Sequence, residues 1–133
     1  LLWPEAPASR AIARSIVAEM HSGFSALRTH LPMDIQLSMH LNHMSDQTIS
    51  DIKRILHIWH HSIRYNGGPY LFGKQFGIVD AFFAPVVMRF NSYGIEIKNS
   101  YCQKYIKAIT QNPHVSEWVA EAKKEVPFRP RFI

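Results

Sequence analysis

Eight histidines in 133 residues raise the question of a metal site first. His57, His60 and His61 stand at i, i+3 and i+4, where one helix could aim two or three imidazoles at a single ion. The pattern is incomplete. Ile58 and Trp59 belong to the apolar face, no carboxylate occupies the HExxH position, and the consecutive His60 and His61 cannot both point at one ion. Exposed histidines on a polar face are the plainer reading, so no metal is expected. His40 and His43 share a face in a segment of ambiguous periodicity. Cys102 lies near the start of a predicted helix, yet no histidine stands close in sequence to activate it, which favours a structural thiol over a nucleophile. There is no GxSxG, phosphate-loop or dinucleotide fingerprint and no obvious pair of carboxylates. A self-contained active site is not visible.

Gly77-Ile78-Val79-Asp80 is more informative. A carboxylate three residues into a helix can reach back to the amide at its start, meeting an orphan donor and the positive end of the helix dipole together. Asp80 is therefore expected to be a structural cap, although it would also suit the plain end of a loop.

The elements that must position these groups are helical. Ile12, Ile16, Met20, Phe24, Leu27 and Leu31 recur at spacings of three and four, predicting one long amphipathic helix from Pro7 that stops before Pro32. Gly23 inside it points to close packing or a bend. Residues 33–45 alternate briefly like a strand, but no second strand exists to pair with them, so an irregular or helical connector is expected. Asp46 to Asn66 is the second strong helix, capped by Ser45 or Asp46 and stopped by Asn66-Gly67-Gly68-Pro69. Ile78 to about Tyr93 is apolar on nearly every side, as a central helix would be, with a bend expected near Ala81 to Pro85. Two further helices, roughly Asn99 to Thr110 and Val115 to Glu125, are separated by Asn112-Pro113 and followed by a proline-containing tail from Val126 to Ile133. The expected fold is an all-α bundle of five to six helices.

Composition narrows the class further. The hydrophobic share of 47% suits one domain with its own core. The longest apolar stretch, Ala81 to Met88, is far below the roughly 18 residues of a membrane span. A net charge of +5 would suit nucleic acid if the basic residues clustered, but they are spread along the chain, so neither nucleic acid nor membrane is expected as a partner. A single cysteine favours a reducing compartment, hence the cytoplasm. The opening Leu1-Leu2-Trp3-Pro4 has neither an initiator methionine nor the features of a signal peptide, and a chain beginning inside a longer protein is expected.

Tyr70-Leu71-Phe72-Gly73, followed by Phe76-Gly77-Ile78-Val79-Asp80-Ala81, resembles the loop and central-helix start of the glutathione transferase C-terminal domain, where G-P-[FY]-L-F-G leads into an [ST]-x-x-D capping box. Leu2-Trp3-Pro4 and Ala18-Glu19-Met20-His21-Ser22-Gly23-Phe24 resemble the first helix of that domain in bacterial transferases, whose beta class has a similar E-L-H-K-G-F. The resemblance spans essentially the whole chain, residues 1–133, as one domain. Two departures touch the cap: Gly77 stands where the family has Ser or Thr, and Ala81 stands where a larger apolar residue would pack on Phe76. A glycine in place of a hydroxyl cap costs only about a few tenths of a kcal/mol.

The family's thioredoxin-like N-terminal domain, with its catalytic Ser, Tyr or Cys and its Val-Pro/Glu-Ser pattern, is absent from this chain. The resemblance implies that this is the helical half of a transferase that conjugates glutathione to small electrophiles. It would wall the pocket for a hydrophobic small-molecule substrate, contribute to a homodimer and work beside the N-terminal domain, which binds most of the glutathione. It places His21, with Met20 and Phe24, beside the cleft between the domains, and His21 matches the beta-class histidine near the active site. An imidazole there could donate to glutathione or its sulfur and favour the thiolate. Met20 and Phe24 equally suit ordinary core packing. The resemblance also leaves open a non-catalytic binding or assembly module of the same fold.

Overall fold

Side chains that recur every three to four residues can bury a stripe only by winding into helices that pack on one another. In the computed structural model, which describes residues 2–126, six helices do so: α1 (Pro7–Ser22), α2 (Ser25–His30), α3 (Asp46–Asn66), α4 (Ile78–Ser92), α5 (Ser100–Gln111) and α6 (Pro113–Lys124). The all-α expectation holds, and no strand occurs among the described residues. The tail read from Val126 to Ile133 lies outside them beyond Val126.

The central helix is α4. Nine of its fifteen residues are buried, including Val79, Phe83, Val86, Val87 and Phe90, and it continues through Pro85. It packs on α1 and α5, while α3 packs on α2 and α5, and α6 on α5. Trp59 of α3 fills the middle, fully buried against the rings of Phe83, Phe90 and Tyr105 at 5.9, 5.6 and 4.8 Å between centroids. Its indole N–H meets no acceptor among the described residues.

The long first helix expected from Pro7 to Leu31 is two helices. α1 ends at Ser22, Gly23 is extended, and Phe24 takes a left-handed backbone with φ 58° before α2 begins. Gly23 permits the break, because a Cβ there would lie 2.7 Å from the Glu19 carbonyl oxygen. Periodicity does not register the break, since Met20, Phe24, Leu27 and Leu31 all still reach the core.

Residues 33–45 form no helix and run as an irregular crossing strapped to the end of α4. The Met39 amide donates to the Ser92 carbonyl (2.9 Å), the Ser92 hydroxyl to the Asp34 carbonyl (2.6 Å), and the Tyr93 hydroxyl to the Pro32 carbonyl (2.7 Å). Ser45 caps α3 by accepting from the Thr48 amide, and Gly67 closes it with φ 88°, a conformation that costs a glycine little. Asn112 ends α5 and also caps α6, its side chain accepting from the amides of His114 and Val115, with Pro113 in the first turn. That shared residue moves the start of α6 two positions ahead of the Val115 expected from sequence.

Candidate functional site

Two places in the fold concentrate polar side chains with structural or chemical consequence. The first is the start of α4. Asp80 is 2% exposed, and its carboxylate receives three hydrogen bonds: from the Gly77 amide (2.8 Å), the Leu71 amide (3.1 Å) and the Tyr105 hydroxyl (3.0 Å). Only the carboxylate half of a capping box exists, because Gly77 has no side chain to return the bond. Burial raises the Asp80 pKa above the ordinary carboxylate range, and the three donors pull it partway back. The same burial, with the carboxylate beside it, drives the Tyr105 hydroxyl pKa far up. Through one side chain the 67–77 loop, the first turn of α4 and the middle of α5 are joined.

The second is the corner between α1 and α2, where the residues singled out by resemblance lie. The structure brings Met20, His21 and Phe24 to one turn but gives them different surroundings. Met20 and Phe24 are each 7% exposed and belong to the core, whereas the His21 side chain is exposed. Arg28 folds back so that its guanidinium donates to the carbonyls of His21 (3.0 Å) and Met20, satisfying the last acceptors of α1. Asp51 of α3 accepts from the Leu27 amide (3.0 Å), supplying α2 with the cap that Phe24 cannot. Glu19, one turn back, makes a two-pronged pair with Arg54 of α3 at 2.8 and 2.9 Å. The pairing lowers the Glu19 pKa and raises that of Arg54. From α4, half-buried Arg89 donates to the Leu31 carbonyl (3.0 Å) at the end of α2. Burial and the nearby charge of Arg28 lower the Arg89 pKa.

Arg28, Asp51 and Arg89 were not singled out from sequence. Arg89 left one trace there, a cation inside an otherwise apolar helix; the other two make tertiary contacts that no local pattern announces.

The remaining sequence candidates lie elsewhere. The rings of His57 and His61 lie 4.2 Å apart on α3, tilted by 49°, and His60 meets Asn99 (2.9 Å) and the Tyr101 ring. Among the described residues no three His, Cys, Asp or Glu side chains gather as metal ligands. Cys102 is fully buried, donates to the Leu56 carbonyl (3.4 Å), and has its pKa raised by burial to about 11. No described helix is long and apolar enough to cross a membrane.

A six-helix domain built around a buried, carboxylate-capped central helix is a recognisable class, and sequence comparison says which. The family model "Glutathione S-transferase, C-terminal domain" matches residues 10–121, from within α1 into α6. The chain belongs to that family. No curated protein matches it.

Proposed function

We propose that this chain is the helical half of a glutathione transferase that conjugates glutathione to small hydrophobic electrophiles. In this reading a thioredoxin-like domain preceding it binds glutathione and activates its thiol. The observation that carries the reading is the exposed imidazole of His21, held on a corner whose neighbours Met20 and Phe24 are anchored in the core. The Arg28 bonds to the Met20 and His21 carbonyls fix the turn beneath that imidazole, so it is presented from a rigid base. His21 would donate to glutathione or its sulfur, and Met20 and Phe24, nearly buried beneath it, would back the co-substrate pocket.

The test is His21→Ala in the full-length protein. Turnover should fall about ten- to a hundredfold, equivalent to about 1.4–2.7 kcal/mol, with the melting temperature nearly unchanged because the side chain is exposed. Loss of stability together with activity, or loss of neither, would reject the cleft assignment.

The pairing with a second copy that the family implies is assigned to the groove of about 630 Å3 between α1 and α3, where Ile12 and Tyr65 are 54% and 86% exposed. Those exposed side chains equally serve a non-catalytic assembly module of the same fold, which a full-length protein without conjugating activity would favour. The reducing cytoplasm is the proposed compartment.

A further inference from the structure

His57 and His61 stand one turn apart on α3, both exposed, with ring centroids separated by 4.2 Å. Two imidazoles that each hold one ion at about 2.0–2.1 Å keep their ring centres about 4–5 Å apart, so the pair already has the spacing of a chelate. The third member of the sequence pattern is engaged elsewhere. Among the described residues the hydrogen bonds to histidine ring nitrogens are those of His30 with Thr48 and His60 with Asn99, both at 2.9 Å. Loss of water contact and the charges of His57, His60 and Arg64 lower the His61 pKa, favouring the neutral imidazole that a metal requires. Both histidines line the groove of about 630 Å3 between α1 and α3, where Ser9, Ser15 and Tyr65 contribute hydroxyls and no described Asp or Glu takes part. Two cations flank the pair: Arg64 is exposed, and Arg54 is paired with Glu19 of α1 at 2.8 Å. Neutral nitrogen donors without a carboxylate suit Cu2+, Ni2+ or Zn2+ rather than Ca2+ or Mg2+, which seek oxygen.

We infer that His57 and His61 form a two-imidazole site for a late first-row divalent metal ion. Cu2+ is held most tightly, following the usual order of stability for such ions. The ion keeps its remaining positions for water or for a donor that enters the groove. One chain suffices, so the site stands whether or not the groove pairs two copies.

The experiment titrates the chain, produced without a histidine tag, with zinc chloride and follows the imidazole C–H signals by two-dimensional NMR, with magnesium chloride as the control. Zn2+ should move the His57 and His61 signals together to a one-to-one end point, and Mg2+ should move neither. Cu2+ added next should displace Zn2+ and broaden the same two signals first. His57→Asn and His61→Asn should each weaken Zn2+ at least about tenfold, no less than the loss of an outer-shell partner costs. His60→Asn should leave the affinity unchanged, because that ring serves Asn99. Movement confined to other histidines such as His40 and His43, equal shifts with Mg2+, or wild-type affinity in either folded variant would overturn the site. If a variant does not fold, the two wild-type signals decide alone: unmoved by Zn2+, they refute it. A chain that binds Zn2+ while remaining a monomer keeps this site and loses the pairing assigned to the groove. A dimer that ignores Zn2+ does the reverse.

Discussion

Replacing Asp80 with Ala removes the acceptor of three donors at once. Two of them, the Leu71 amide and the Tyr105 hydroxyl, belong to residues with no exposed surface, so water cannot replace the lost partner. A buried donor left unpaired costs about 1–3 kcal/mol. The favourable placement of a carboxylate at a helix start adds about 0.3–1 kcal/mol. Against this, the substitution relieves the burial of a charge, visible as the raised Asp80 pKa. The balance is a loss of about 3 kcal/mol, which for a domain of this size lowers the melting temperature by about 10 °C. Asp80→Asn should lose about half as much, because its amide oxygen can still accept from Leu71 and Tyr105 while its NH2 faces the Gly77 amide. Thermal unfolding by circular dichroism measures both. A change under about 2 °C for Ala, or equal losses for Ala and Asn, would refute the three-donor account. The pH dependence has a definite sign. A carboxyl whose pKa is higher folded than unfolded binds more protons in the folded state, so its contribution to stability is present below the unfolded value and lost as pH rises through the folded one. Asp80→Asn should therefore flatten the fall in stability that the parent shows as pH rises above about 4.

The Glu19–Arg54 pair works in the opposite direction: the Glu19 pKa is lowered, so its stabilisation is present above the ordinary value and lost as pH falls through the folded one. With the two side chains 34% and 50% exposed, Arg54→Ala should cost no more than about 1 kcal/mol in denaturant titrations, and less at high salt. Phe24→Ala should cost about 3–5 kcal/mol by the same titration because its ring is buried. Phe24→Gly should be no worse, the reverse of the usual order in helices, since φ 58° suits glycine. Cys102 should fail to react with Ellman's reagent at pH 8 in the folded chain and react fully in denaturant, as a buried thiol with a pKa near 11 requires.

Where local chemistry decides a boundary, the sequence is readable. Ser45 and Gly67 bracket α3 because one offers a hydroxyl to an orphan amide and the other accepts a left-handed backbone, and both preferences belong to single residues. The Gly77-to-Asp80 contact is likewise three residues long and could be anticipated. Its partners Leu71 and Tyr105 could not, because they are brought in by the loop and by the packing of α5. The corner at Gly23 and Phe24 escapes for another reason: both halves present apolar residues to the same core, so the three-four rhythm continues across a chain that has turned. Met20, His21 and Phe24 were legible as neighbours. The guanidiniums of Arg28 and Arg89 were not, since one folds back eight residues and the other reaches from 58 residues away.

The isolation of the Trp59 indole has an optical consequence. An indole surrounded by rings and lacking an acceptor for its N–H is not solvated in its excited state, so its emission lies toward the blue and is insensitive to aqueous quenchers. Trp118 is 40% exposed and emits farther to the red. Fluorescence from this chain therefore carries a short-wavelength component whose loss marks the parting of α3, α4 and α5, distinguishable from changes at the surface of α6.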